Sequence, residues 1–181
     1  MTSRAPDPNH IIVRPARSEH AKAIANVHVR TWQGAYEHVF PLEALAGLSI
    51  EDREQAWREA IASPSPRSHI FVAEGEVGVS GFASFGPTRD SDGDPKRVGE
   101  LYAIYVLPEA WGRGVGRSLM AKLLEHLRTD GFRESTLWVL ADNPRTRRFY
   151  EVAGWKVDGS ARQGVHLAVE VEELRYRIKV R

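Results

Sequence analysis

The sequence predicts an α/β protein with a mixed, mainly antiparallel central sheet of about seven strands and helices on both faces. Two observations lead to this class. Residues 70–73 and 78–85 are β-rich runs joined by a Glu-Gly-Glu-Val turn, which indicates an antiparallel hairpin. Residues 100–107, 114–129 and 135–140 have the patterns of strand, helix and strand, and such a βαβ unit places its two strands parallel.

The other elements follow from the helical or alternating spacing of apolar residues. Between the first strand and the hairpin the chain is predicted to be helical, with Ser18 as an N-cap candidate for the first helix and either Ser49 or Asp52 for a later one. Leu174 to Val180 alternates apolar and polar residues, as a half-buried final strand does. The remaining predictions are strands at residues 11–14 and from 155, and helices at 18–30, 42–46, 49–62 and 144–151.

Composition indicates one globular domain at residues 11–181 after a flexible tail at residues 1–10. The balance of 25 basic against 24 acidic residues argues against a general nucleic-acid binder. The absence of cysteine excludes disulfides, thiolate metal sites and a cysteine nucleophile. No run approaches the roughly 20 apolar residues of a membrane span, and no signal-peptide core stands at the start. We therefore expect a cytoplasmic protein that binds neither metal nor membrane.

A glycine-rich turn joins the first strand of the βαβ unit to its helix. Gly112, Gly114 and Gly116 let the backbone approach a ligand, and the unpaired amides of the first helical turn point towards it. Arg113 and Arg117 add positive charge beside these amides. This stretch predicts a phosphate or pyrophosphate site, although the same glycines also suit a simple tight turn.

A second segment follows the last strand of the βαβ unit. Asn143 is an N-cap candidate, and Pro144 takes the first helical position. Tyr150 lies on this helix, and Gly154-Trp155 follow its end. Taken alone, Asn143 is explained as a cap and Tyr150 as a core aromatic residue.

The turn and this second segment together resemble the GNAT superfamily of acyl-CoA N-acyltransferases. The acetyl-CoA motif of that family is Gln/Arg-x-x-Gly-x-Gly/Ala, and the stretch from Trp111 to Gly116 keeps both glycines while Trp111 replaces the leading residue. The family's downstream asparagine, tyrosine and Gly-aromatic pair are all present. The resemblance covers residues 11–180 in element order and implies the GNAT fold, in which the parallel strands splay apart to admit the pantetheine arm of acetyl-CoA.

Position by position, the resemblance implies roles in acetyl transfer. Asn143 should contact the cofactor, and Tyr150 should protonate the departing CoA thiolate. In the strand at residues 100–107, backbone groups of Ile104, Tyr105 and Val106 should bind the pantetheine arm and the acetyl carbonyl. A bulge in this strand should turn a backbone amide towards that carbonyl. Backbone amides of the turn should hold the pyrophosphate at Gly112, Arg113, Gly114, Val115, Gly116 and Arg117.

The general base and the acceptor pocket also follow from the resemblance. The family places the glutamate that acts as general base at one of two positions. The first is occupied by Trp138 in this chain, so that base is missing, whereas the second is occupied by Glu100. We therefore predict that Glu100 takes the proton of the acceptor ammonium through water; the alternative is a solvated residue at a strand start. Trp32 and Tyr36 should line the acceptor pocket, and the alternative is that they are core aromatics.

The predicted function is transfer of an acetyl group from acetyl-CoA to a primary amine by direct attack in a ternary complex. The acceptor stays open among a small-molecule amine, a peptide N-terminus and a lysine. An acidic loop with Asp90, Asp92 and Asp94 would favour a cationic acceptor, and the alternative is that the loop is charged for solubility alone. The length of the acyl group also stays open, and a homodimer is compatible with the sequence.

Three alternatives compete with this function. A non-catalytic acyl-CoA-binding sensor would keep the same fold and motifs. A Rossmann dinucleotide site needs a third glycine where this chain has Arg117. A P-loop needs Gly-Lys-Ser/Thr, and the chain has Gly116-Arg117-Ser118.

Overall fold

The computed structural model describes residues 11–180, so the tail predicted at residues 1–10 lies outside the described residues. Within that range the strands are β1 (Ile12–Pro15), β2 (His69–Gly75), β3 (Gly78–Pro87), β4 (Val98–Val106), β5 (Glu134–Leu140), β6 (Lys156–His166) and β7 (Val169–Lys179). The α-helices are α1 (Ala21–Ala35), α2 (Leu42–Ala46), α3 (Ile50–Ala62), α4 (Val115–Thr129) and α5 (Pro144–Val152). None of these helices is long and apolar enough to cross a membrane.

The strands form one sheet in the order β1-β2-β3-β4-β5-β7-β6. Neighbouring strands are antiparallel except β4 and β5, which are connected through α4 and run parallel. The prediction of a mixed, mainly antiparallel sheet with one βαβ unit is therefore confirmed. The predicted hairpin is formed by β2 and β3.

Helices cover both faces of the sheet, as predicted. On one face α4 buries Leu119 and Leu123 against Phe85 and Leu137. On the other face Ile24 of α1 packs in a cluster with residues of β2 and β3, and α3 completes this layer. Each large apolar side chain buried in this way contributes roughly 1.5–3 kcal/mol, so the amphipathic faces of the helices hold the two layers together.

The parallel strands β4 and β5 stay paired over only part of their length. Val98–Leu101 pairs with Glu134–Leu137, and beyond these residues the strands diverge. The register of β4 against β3 shifts at Tyr102, because Ser84 pairs with Ala103 while Phe85 pairs with Leu101. A bulge of this kind bends a strand. The splay and the bulge implied by the family resemblance are both confirmed.

One predicted helix start is wrong, and another is confirmed. Ser18 does not cap α1, since it lies in a 3₁₀ turn and the α-helix begins at Ala21. The backbone amide of Arg17 donates a hydrogen bond to His20 Nδ1 at 2.8 Å, and this bond completes the 3₁₀ turn before the α-helix starts. Ser49 caps α3 as predicted, because its hydroxyl accepts a hydrogen bond from the Asp52 amide at 3.0 Å.

The partly buried His28 determines part of the pH dependence of stability. Its Nδ1 accepts a hydrogen bond from Trp57 Nε1 at 3.3 Å, and its ring lies 5.0 Å from that of Tyr105. Burial, followed by the charge of Arg53, lowers the pKa of His28 from 6.5 to about 4. A lowered pKa in the folded state gives stability that is present above pH 6.5 and is lost as the pH falls towards 4.

We expect His28→Phe to remove this sensitivity to acid. The wild type should lose about 3 kcal/mol of unfolding free energy between pH 6.5 and 4 through His28, and the variant should lack that contribution. At neutral pH the variant should be less stable, since Trp57 Nε1 loses its acceptor. Urea unfolding at both pH values measures the difference, and equal acid sensitivity of the two proteins would contradict the prediction.

Candidate active site

The diverging ends of β4 and β5 open a cavity of about 1230 Å³. One side of the cavity is the glycine-rich turn before α4. Another part of the lining, called the far end below, consists of Trp32, Tyr36, His166 and Glu173, which form a chain of mutual contacts. Within residues 11–180, no group of three or more His, Cys, Asp or Glu side chains is placed to hold a metal ion.

The turn depends on two glycines whose backbone lies in the left-handed region. The φ angle is 76° at Gly112 and 87° at Gly114, the residue immediately before α4. A Cβ atom at either position would meet nothing within 4 Å, so conformation and not crowding requires glycine there. The first residues of α4 line the cavity. Their amides thus form a helix N-terminus suited to an anion.

Two residues of the turn depart from the predicted pattern. Arg113 is not part of the cavity lining, and its amide donates to the Ala110 carbonyl at 3.4 Å. Trp111 donates from Nε1 to the Val106 carbonyl at 2.7 Å, so it fastens the turn to β4. The guanidinium of Arg145 lies 3.6 Å from the centre of the Trp111 ring. The tryptophan therefore places a cation beside the turn by stacking.

Asn143 and Tyr150 reach the gap between β4 and β5 from α5. The Oδ1 atom of Asn143 accepts the Thr146 amide at 3.0 Å, which confirms the predicted N-cap. Its Nδ2 atom is buried with no partner at hydrogen-bond distance among residues 11–180. Burial raises the pKa of Tyr36, and the nearby Asn143 side chain lowers that pKa by a smaller amount. Burial raises the pKa of Tyr150 well above its usual value of 10.0, so its hydroxyl stays protonated at neutral pH.

Trp32 and Tyr36 are at once core aromatics and part of the cavity wall. Their rings lie edge to face at 5.1 Å, and Trp32 stacks on Phe40 at 5.8 Å. Both also line the far end. Burial, and then the neighbouring Tyr105 and Tyr150, raises the pKa of Tyr36, because these hydroxyls lie close to one another. The two alternatives considered for this pair therefore hold together.

Glu100 is buried on β4 and held by Arg89. Its carboxylate accepts hydrogen bonds from the Arg89 amide at 2.8 Å and from the guanidinium Nε at 3.2 Å, and the residue is 2 % exposed. It is not part of the cavity lining. The alternative of a solvated residue is therefore wrong. Its role as general base stays a prediction that these contacts do not favour.

The floor of the far end is built from residues that no motif marks. Arg162 and His166 of β6 and Glu173 of β7 line it together with Trp138 of β5. The Arg162 guanidinium lies 4.1 Å from the centre of the Trp138 ring. Sequence patterns missed the β6 and β7 residues because the only pattern in these strands is alternation, which gives the face of a side chain but not its neighbours.

Asp90 and Asp92 are bound within the protein, which corrects the expectation that they favour a cationic acceptor. Arg175 of β7 contacts Asp90 at 3.2 Å and Asp92 at 2.7 Å, and it also binds Asp158 at 2.7 Å. Asp90 further accepts a hydrogen bond from Trp138 Nε1 at 3.0 Å. Through Arg175 these carboxylates hold the loop against the sheet.

A splayed parallel strand pair, a glycine-rich helix N-terminus and a buried tyrosine in the gap are the architecture of an acyl-CoA-dependent acetyltransferase. Residues 23–155 match the sequence model of the Acetyltransferase (GNAT) family. The chain belongs to this family and is an acyltransferase.

Individual relatives agree with this assignment. The uncharacterized N-acetyltransferase YuaI of Bacillus subtilis (strain 168) is 42% identical over 135 residues, which are 74% of each chain. A mycothiol acetyltransferase of Kocuria rhizophila is 44% identical over 69 residues, which are 36% of this chain but only 23% of that protein. The structure of yncA from Salmonella typhimurium with acetyl-CoA has a TM-score of 0.69 and 20% identity, covers 94% of both chains, and shows the common fold.

Proposed function

We propose that this protein transfers an acetyl group from acetyl-CoA to a primary amine, which attacks directly in a ternary complex. The observation that carries the proposal is the continuous cavity that joins the glycine-rich turn to Tyr150 and to the far end. Direct transfer needs such a passage, because donor and acceptor must meet with their reacting atoms about 3 Å apart. The acceptor end of the passage would include Trp32 and Tyr36.

The residues at the turn fit the phosphate end of acetyl-CoA. The first amides of α4 and the nearby Arg117 suit its pyrophosphate, and Arg145 adds a further cation. The unpartnered Nδ2 of Asn143 is a buried donor that a cofactor carbonyl can satisfy. Acetyl-CoA in yncA, which has the same fold, supports this proposal.

The diverging part of β4 suits the pantetheine arm and the acetyl group. Ile104 and Tyr105 line the cavity there, and their backbone groups would hold the arm. The carbonyl of Val106 already accepts from Thr31 Oγ1 at 3.0 Å and from Trp111 Nε1 at 2.7 Å, so only its amide is left for this role. An amide aimed at the developing oxyanion supplies roughly 3 kcal/mol, and Tyr150 gives its proton to the departing sulfur.

A CoA-release assay tests the function. The purified protein is mixed with acetyl-CoA and each of four amines: propylamine, glycinamide, a short peptide with a free N-terminus, and a lysine derivative whose α-amine is blocked. We expect thiol release that depends on the amine. Binding of CoA without turnover on any amine would favour the sensor. The single domain at residues 11–181, a homodimer and a cytoplasmic location stay predictions, as does the choice of acetyl over longer acyl groups.

Gly114→Val should raise the dissociation constant of acetyl-CoA about tenfold or more. A β-branched residue at a φ of 87° is strained, and Gly114 is the residue directly before the first amides of α4. Gly131→Val is the matched control, since Gly131 follows the other end of α4 with a φ of 81° and equally open surroundings. Calorimetric titration with CoA measures both variants. Equal loss of affinity in the two would show that strain alone is responsible.

A further inference from the structure

Glu173 is a buried carboxylate in the wall of the far end. It lies on β7 and is 7% exposed. Among the described residues that line the cavity, it is the one acidic side chain. Burying a carboxylate costs roughly several kcal/mol before its partners compensate the charge. A buried carboxylate beside a cavity that is proposed to receive an amine is suited to bind that amine in its protonated form.

Each oxygen of Glu173 has one partner among the described residues and can accept another. Arg162 Nε donates to Oε2 at 2.6 Å, and His166 Nε2 lies 3.2 Å from Oε1. A carboxylate offers about four acceptor positions, so two face no donor from the described part of the protein. Glu100 differs, because the Arg89 amide and guanidinium occupy its oxygens and it does not line the cavity.

Glu173 also lies near the tyrosines between the far end and Tyr150. Burial is the first cause that raises the pKa of Tyr36 and of Tyr105, and the charge of Glu173 is a further cause for both. Tyr36 in turn lies near Tyr150. The titratable and charged groups around Glu173 are Arg162 and His166 from β6, Tyr36 from the end of α1, and Tyr105 from β4. A cation bound at the far end would therefore lie beside Glu173, in the same cavity that Tyr150 lines.

We propose that Glu173 is the catalytic residue that binds the acceptor as an ammonium ion and takes its proton, with His166 as the outlet for that proton. The inference rests on the proposed acetyl transfer. It names the acceptor class as a basic primary amine that arrives protonated.

The proton balance follows from these positions. An N–H bond of the ammonium breaks, the electron pair stays on nitrogen, and the proton goes to Glu173. The neutral nitrogen forms the C–N bond while the C–S bond breaks. Tyr150 protonates the sulfur and is reprotonated by the second proton that the nitrogen sheds. Protonated Glu173 donates its proton from Oε1 to Nε2 of the His166 tautomer that carries its hydrogen on Nδ1, and His166, whose side chain is 35% exposed, then releases the Nδ1 proton to solvent.

The test compares Glu173→Gln with the wild type over a range of pH, using propylamine and the less basic glycinamide. At neutral pH we expect kcat/KM for propylamine to fall about 100-fold, and to recover as the pH approaches the pKa of the free amine. The loss with glycinamide should be smaller, since more of it is already neutral. The KM for acetyl-CoA should not change. Glu172→Gln is the matched control, because Glu172 is exposed and its side chain points to the other face of the strand.

The outcomes separate this inference from the function on which it rests. If the wild type releases no CoA with any amine, the proposed transfer fails and Glu173 fails with it. If the wild type is active and Glu173→Gln loses activity equally at every pH, or loses none, only the role of Glu173 is overturned. If Glu173→Gln does not fold, His166→Gln decides. The His166→Gln variant should lower kcat/KM for propylamine more than for glycinamide, and equal losses with the two amines would overturn the proposal.

Discussion

Replacing Tyr150 by Phe should lower kcat by about 100- to 1000-fold, with little change in the KM for acetyl-CoA. The Tyr150 hydroxyl lies in the cavity wall at the gap between β4 and β5, and burial keeps it protonated far beyond neutral pH. Its proton is therefore available to the departing sulfur at every pH at which the enzyme is assayed. Phe keeps the ring and the packing but has no proton to give. Steady-state kinetics of CoA release measure the change.

Tyr176→Phe is the matched control for this prediction. Tyr176 is fully buried 6.2 Å from the Tyr150 ring, and its hydroxyl contacts Arg147 and Glu151 but does not reach the cavity. Its loss should cost about 1 kcal/mol of stability and leave kcat nearly unchanged. If Tyr150→Phe kept the wild-type kcat, Tyr150 would not be the acid. If both variants lost activity equally, packing would explain the loss.

Trp155→Ala should lower the free energy of unfolding by about 3–5 kcal/mol. Trp155 is 1% exposed, its amide donates to the Tyr150 carbonyl at 3.0 Å, and its ring lies 6.2 Å from that of Tyr150. Truncation would leave a large cavity directly behind α5. We therefore also expect a lower kcat, because Tyr150 would lose part of the packing that orients it. Urea unfolding followed by circular dichroism measures the stability.

Two variants make this result specific. Trp155→Phe should cost clearly less than Ala, because it fills part of the site and removes an indole Nε1 that has no partner among residues 11–180. Val165→Ala truncates a side chain that is 67% exposed, and it should change stability by less than about 0.5 kcal/mol. A loss below about 1 kcal/mol for Trp155→Ala would mean that the site collapses around the missing ring.

The fold and the donor side of the site could be predicted because their signals are local in the chain. Gly112 and Gly114 are needed for a backbone with positive φ, and Asn143 is needed to cap α5. Each of these requirements acts within a few residues, so it leaves a mark in the sequence at fixed spacing. The hairpin and the βαβ unit likewise follow from neighbouring runs and the turns between them.

The part of the proposed acceptor side that β6 and β7 supply could not be predicted, because these residues join Trp32 and Tyr36 only through sheet pairing. Glu173 meets His166 across the β6–β7 pair and Tyr36 from a distant helix, and alternation in a strand does not identify such neighbours. Glu100 shows the same limit, since the family resemblance suggested a general base while the loop before β4 supplied Arg89 to bind it.

The sequence by itself predicted the GNAT fold, through the family resemblance, and it marked the glycine-rich turn and Tyr150, because these two features rest on backbone conformation and short-range spacing. Only the tertiary structure decided which charges face the cavity. Arginines bind Asp90, Asp92 and Glu100, and none of these three lines the cavity, whereas Glu173 lines it and keeps acceptor positions to spare beside Arg162 and His166. The reason is physical: the use of a charge depends on its partners and its exposure, and both are set by residues far away in the chain.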